Sequence, residues 1–147
     1  MATDLELAYN ALAAKQTPYT RLWNYYDGDQ PLVYSARRIK ELFRDVDARF
    51  TENWCAVVID SAMDRLNLGR FQVEGNERAT DLLNDLWLST EMGLDSDDAH
   101  LAAMVTGEAF VIVWREDNGD LQAYYNDPRM VHIQYDADNP RAKLWAA

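Results

Sequence analysis

The residues best suited to metal chemistry are three aspartates and a histidine close together in sequence: Asp95, Asp97, Asp98 and His100. Hard divalent cations prefer several oxygen ligands, and histidine often joins them, so a small acidic metal-dependent hydrolase is one interpretation. The same aspartates stand where the start of a helix favours acids, because carboxylates suit the positive end of the helix dipole. We therefore predict a helix N-cap at this position and no metal site.

The candidate nucleophile is Cys55, the only cysteine in the chain, so neither an intrachain disulfide nor a thiolate zinc site can form. Nucleophilic catalysis would need a neighbouring histidine, and the chain has only His100 and His132. Cys55 follows Trp54 on a helix predicted to be buried, where cysteine usually acts as a small hydrophobe. No nucleophile elbow, phosphate loop or zinc-protease motif occurs, so we predict neither an enzyme nor a cofactor.

The basic residues most able to touch nucleic acid form one run: Arg37, Arg38, Lys40, Arg44 and Arg49. Acids interleave with this run, and Arg37 and Glu41 have the spacing of an intrahelical ion pair, which favours a solvated or subunit-facing helix surface. The net charge is -11; residues 1–73 hold nine basic and ten acidic side chains, and residues 74–147 hold five and fifteen. Tight phosphate binding is therefore not expected, and a stand-alone acidic adaptor for a basic partner is another interpretation.

Cap and stop signals divide the first half into helices. Thr3 and Glu6 have capping-box spacing and predict a helix over residues 4–15, and Thr17-Pro18 predicts a second one that Gly28 ends. Ser35 is the expected cap of a third helix reaching about residue 46. A fourth is expected from the cap Asn53 to a stop at Gly69, with Asp60 and Asp64 a turn apart on one face.

The second half changes from helical to strand patterns. Residues 71–73 predict a short strand, residues 79–87 an amphipathic helix, and residues 95–107 another helix. Strands are expected over 109–114, 121–125 and 130–135, with a fourth that begins near Ala142 and is barely started where the sequence ends, which favours a truncated chain. Asn118-Gly119 predicts a type I′ hairpin turn between the first two.

These elements predict a single α+β domain over residues 1–147, in which N-terminal helices pack on a C-terminal antiparallel β-meander. Its 48% hydrophobic content is enough for a core. No stretch approaches the roughly 20 apolar residues of a membrane span, and the acidic N-terminus does not match a signal peptide. A soluble, unexported protein is expected.

Four motifs, in order, resemble the siphophage-type portal family of tailed bacteriophages. The first is LWNYYDGDQPL at 22–32, and the second is NWCAVVID at 53–60, continued by DRL at 64–66 and FQVEG at 71–75. The third is AH at 99–100 with GEAFVIVW at 107–114, and the fourth is DP at 127–128 with YD at 135–136. The one departure is Ile59, where the family's Val-Val-Asp has its second valine.

The resemblance assigns a structural or interface role to fourteen motif residues: Tyr25, Tyr26, Gly28, Gln30, Pro31, Asn53, Trp54, Asp60, Asp64, Arg65, Gly75, Gly107, Asp127 and Pro128. It implies a structural subunit of a twelvefold homo-oligomeric ring at one capsid vertex of the virion, assembled in the host cytoplasm. DNA would pass through the ring without sequence-specific binding during packaging and ejection. This segment would be the wing, which meets the capsid protein, while the stem, clip and crown that serve terminase and head-completion proteins would come from later sequence.

Overall fold

The computed structural model describes residues 3–30, Glu41, 53–139 and 141–147. Within these residues four helices precede four strands. The helices are α1 (Asp4–Asp27), α2 (Trp54–Met63), α3 (Glu77–Ser89) and α4 (Met92–Thr106). The strands are β1 (Phe110–Arg115), β2 (Leu121–Asn126), β3 (Ile133–Tyr135) and β4 (Lys143–Ala146). The predicted α+β class, with helices N-terminal to antiparallel strands, is confirmed, whereas the helix expected after Ser35 lies outside the described residues.

α1 is one continuous helix, so the prediction of two short helices is wrong. The capping box between Thr3 and Glu6 begins it as expected, and Gly28, in the left-handed region at φ 79°, ends it. Pro18 lies inside the helix, where it removes only one backbone donor. Lys15 and Tyr19, on either side of this proline, both bind Glu108, so tertiary contacts hold the helix straight through a residue that usually breaks one.

α2 ends earlier than predicted, and the strand expected after it does not form. The Asn53 side chain accepts a hydrogen bond from Ala56 N as the predicted N-cap, but the helix stops at Met63 and not near Gly69. Residues 71–73 are not a strand. The side chain of Asn84 on α3 binds both Phe71 N and Phe71 O, at 3.1 and 3.0 Å, and thereby replaces the partner strand that this segment lacks.

α4 is the central helix, because it contacts α1, α2, α3 and β2. It begins at Met92, after Glu91 in the left-handed region, and no side chain caps it, so the prediction of an N-cap at Asp95 is wrong. Gly107, at φ 87°, ends it as predicted. The buried apolar residues are Ala8, Met92, Ala102, Val105, Ala123 and Val131. They place a small core between α1, α4, β2 and the segment before β3. None of the described helices is both long and apolar enough to cross a membrane.

The four strands form two separate antiparallel ladders. β1 pairs with β2 with Val113 opposite Ala123, and β3 pairs with β4 with a register shift after Gln134. The hairpin between β1 and β2 was expected, but its turn is not type I′. That type needs positive φ at both central residues, whereas here only Gly119 has one, at 93°, and its N–H donates to Glu116 O at 2.9 Å.

Candidate functional site

The predicted acidic cluster is divided by its contacts. Asp95 Oδ2 accepts a hydrogen bond from Tyr125 N at 3.0 Å, so this carboxylate ties α4 to β2. Asp97 and Asp98 are exposed on the same helix. Among the described residues, no group of three or more histidines, cysteines or acids is arranged to hold a metal ion. Asp95 therefore acts here as a structural acceptor, a role that sequence spacing did not predict.

Cys55 is exposed, so the prediction that it is a core residue is wrong. α2 contains no fully buried residue, and Trp54 and Val58 are 66% and 67% exposed. The reason is that α2 is apolar on nearly every side, so burying one face against α1 and α4 leaves the others in solvent. The apolar spacing correctly predicted a helix but not which of its residues are covered.

Two of the family-like motifs meet where α1 ends and α2 begins. Tyr26 Oη donates to Asp60 Oδ1 at 2.9 Å, and Asn53 Nδ2 donates to Tyr26 O. Gly28 lies so close that a Cβ there would stand 3.3 Å from Asn53 Nδ2, and its φ of +79° already disfavours other residues. We call Tyr26, Gly28, Asn53 and Asp60 the motif joint. The hydrogen bond to Asp60 and partial burial raise the pKa of Tyr26.

The motif residues Asp127 and Pro128 connect to this joint through α1. Asp127 and Arg129 form a two-pronged ion pair whose shortest N–O distance is 2.6 Å, and these hydrogen bonds hold the pKa of Asp127 below its usual range. The guanidinium lies 5.7 Å from the ring centre of Trp23, which meets Tyr26 edge to face at 5.8 Å. Pro128, between the ion-paired residues, is fully buried. A chain of contacts thus runs from α2 to the loop before β3.

The remaining described motif residues are scattered. Tyr25 is half-buried with Arg21 against its ring, and Gln30 is half-buried after the end of α1. Gly75 and Gly107 occupy turns with φ of 73° and 87°, which explains glycine at both positions. Three others belong to α2 or the turn after it and are exposed: Trp54, Asp64 and Arg65. Pro31 lies outside the described residues.

Sequence reasoning missed the strongest charge contact of the fold. Lys15 Nζ forms an ion pair with Glu108 Oε1, and Tyr19 Oη donates to the same oxygen at 2.5 Å. Burial and this hydrogen bond raise the pKa of Tyr19 to about 12. The Lys15 ammonium also lies 5.2 Å from the ring centre of Phe110. Lys15 and Tyr19 share one face by their spacing of four residues, but the predicted break at Pro18 hid this signal.

These clusters hold elements together, and their chemistry is that of joints. Their carboxylates accept hydrogen bonds from named donors, and in the described residues neither histidine contacts Cys55. No family model, curated protein or solved structure matches the chain. The features left for function are therefore the surfaces that the joints hold in place.

Proposed function

We propose that the chain is a noncatalytic structural subunit of a portal ring at the capsid vertex of a tailed bacteriophage. Copies of the wing-like segment stand side by side around the channel. DNA passes through the ring during packaging and ejection, and the wing meets the capsid protein. Terminase and head-completion proteins bind regions outside this segment.

The observation that carries the proposal is the motif joint. Tyr26 comes from the first family-like motif, whereas Asn53 and Asp60 come from the second, and the two motifs are separated along the sequence. Their side chains nevertheless bind each other across the junction of α1 and α2. Residues that resemble a family pattern would have no reason to meet if the resemblance were accidental. Their direct contact supports a shared structural origin.

The exposed surface also favours an assembly subunit. Large apolar side chains lie open to solvent on every described helix and on β1, among them Leu5 at 80%, Leu88 at 75%, Val58 at 67% and Val113 at 60%. Soluble monomers rarely expose wide apolar patches, so such surfaces mark contacts with other chains. The net charge of -11 fits a wall that lets DNA pass, because acidic surfaces do not hold phosphates.

The test is to express the gene in its complete natural reading frame and to analyse the product by native mass spectrometry and negative-stain microscopy. We expect a closed ring of identical subunits, with about twelve copies as the family resemblance implies. Asp60→Asn, which weakens the acceptor for Tyr26, should lower the yield of rings, whereas Tyr9→Phe at a 72% exposed position of α1 should not. Monomers under every assembly condition would contradict the proposal.

A further inference from the structure

β1 has an outer edge whose backbone groups face away from its partner strand. Glu116 N donates to Asp120 O at 2.8 Å, and hydrogen-bonded pairs alternate along an antiparallel ladder. The backbone groups of Ile112 and Trp114 therefore face β2, and those of Val111, Val113 and Arg115 point outward. In the part of the chain that the structure describes, these outward groups have no hydrogen-bond partner. Val111 and Val113 are 43% and 60% exposed.

The opposite edge of the same hairpin is closed. Tyr125 N, on β2, points outward and is bound by Asp95 Oδ2 of α4, which packs along this strand. Proteins usually cover, charge or twist an exposed strand edge, because an open one recruits further strands. The fold covers β2 in this way and leaves an apolar edge on β1. This asymmetry indicates that the edge of β1 is used.

β4 offers an edge of the matching kind. Ala147 exchanges both backbone hydrogen bonds with His132, at 2.7 and 2.9 Å, so the groups of the preceding Ala146 point away from β3. The register shift makes Leu144 the extra residue on this strand, and it is 57% exposed. Arg141 and Lys143 stand at the start of β4, and they are two of the five basic residues in the acidic second half.

We propose that the outer edge of β1 in one copy of this chain pairs antiparallel with the outer edge of β4 in a second copy. With Val113 opposite Leu144, this alignment places Val111 opposite Ala146. It also places Glu116, at the acidic hairpin tip with Asp117 and Asp120, opposite Arg141. Opposite charges across neighbouring strands stabilise such pairing. Strand addition of this kind takes its affinity from backbone hydrogen bonds.

The alternative of two β1 edges pairing with each other lacks this charge match. Centred on Val113, a symmetric pair would place Glu116 opposite Phe110. The β1–β4 contact joins different patches on its two copies, so repetition produces a ring when the rotation closes. The inference thereby names the subunit contact of the proposed portal, and it rests on that proposal for ring closure alone.

The test uses disulfide trapping in the full-length protein, with Cys55→Ser as background. Val113→Cys and Leu144→Cys proteins are mixed under oxidising conditions, and we expect a mixed disulfide, because facing residues of paired strands have Cα atoms about 5.5 Å apart. Ile112→Cys, 41% exposed on the other face of β1, is the matched control and should give much less product with Leu144→Cys.

The outcomes separate this inference from the proposed function. Absence of the mixed disulfide in protein that forms rings overturns the β1–β4 contact and leaves the portal proposal standing. A mixed disulfide in protein that forms only open chains supports the contact and contradicts the ring. Disulfides formed chiefly by Val113→Cys with itself would show that β1 pairs symmetrically, which also overturns the inference.

Charge exchange provides a second measurement. Glu116→Lys or Arg141→Glu alone should lower the yield of the mixed disulfide roughly two- to fivefold, as expected for an exposed ion pair. The two substitutions, one in each mixed partner, should restore it. Glu74→Lys changes the net charge equally at an exposed turn and serves as the control. Equal losses in all three single variants, without rescue, would show that only net charge matters and would contradict the proposed register.

Discussion

The inner face of α1 and the β1–β2 hairpin use opposite means of making contacts. Lys15, Tyr19 and Tyr26 reach charged partners on other elements, so side chains distant in sequence fix the position of α1. The hairpin instead presents Val113 and the open backbone of β1 to solvent. Polar partners inside the chain specify one internal geometry, whereas an open apolar edge specifies an external one. Changes on α1 should therefore affect unfolding, and changes on β1 should affect association.

The largest expected loss of stability comes from Glu108→Ala. This change leaves the Lys15 ammonium, whose side chain is only 17% exposed, without its carboxylate and removes the acceptor for Tyr19. Breaking a buried ion pair from one side costs about 3 kcal/mol, and the partial exposure of Glu108 reduces this to about 2 kcal/mol. Urea denaturation measures the difference. Glu116→Ala, on the hairpin, should change the free energy of unfolding by less than about 0.5 kcal/mol, and a similar loss in both variants would remove the distinction between the regions.

A smaller loss is expected from Asn53→Ala in the motif joint. The substitution removes the N-cap of α2, worth about 1 kcal/mol, together with the hydrogen bond to Tyr26 O. Asn76→Ala is the matched control, because Asn76 caps α3 in the same way without contacting α1. We expect Asn53→Ala to be the more destabilising by about 0.5–1 kcal/mol in urea titrations. Equal effects would mean that the joint contributes nothing beyond the cap.

Asp95→Ala tests why one edge of the hairpin is closed. Loss of the carboxylate leaves Tyr125 N without its acceptor and should cost about 1 kcal/mol. It also opens the second edge, so sedimentation should show more self-association than the wild-type chain does. Asp97→Ala removes an exposed acid from the same helix and should change neither quantity. A stable monomeric Asp95→Ala protein would argue against edge protection.

The sequence predicted the elements better than it predicted their partners. Helix α3, the cap at Asn53 and the end of α4 at Gly107 follow from local backbone chemistry, which a single sequence contains. The continuity of α1 across Pro18 depends on Glu108, which is distant in sequence, so local rules gave a break. The role of Asp95 was missed for the same reason: its acceptor oxygens suit a helix cap equally well, and only the position of β2 decides between these uses.

The smallest expected effect is a loss of stability in alkaline solution. Tyr19 has a pKa of about 12 in the folded chain against 10 in the unfolded chain, so between these values the unfolded state binds fewer protons. The contribution is complete below pH 10 and declines as the pH rises towards 12, amounting to about 0.8 kcal/mol at pH 10.5.

Urea titrations between pH 8 and pH 10.5 measure this decline. Tyr19→Phe should make it shallower, since a phenylalanine has no proton to lose, while Tyr9→Phe at an exposed position should leave it unchanged. If Tyr19→Phe and the wild-type chain decline in parallel, the Tyr19 hydroxyl is not held by Glu108 in solution. The inner face of α1 would then be as open as the edge of β1, because its joints depend on the same carboxylate.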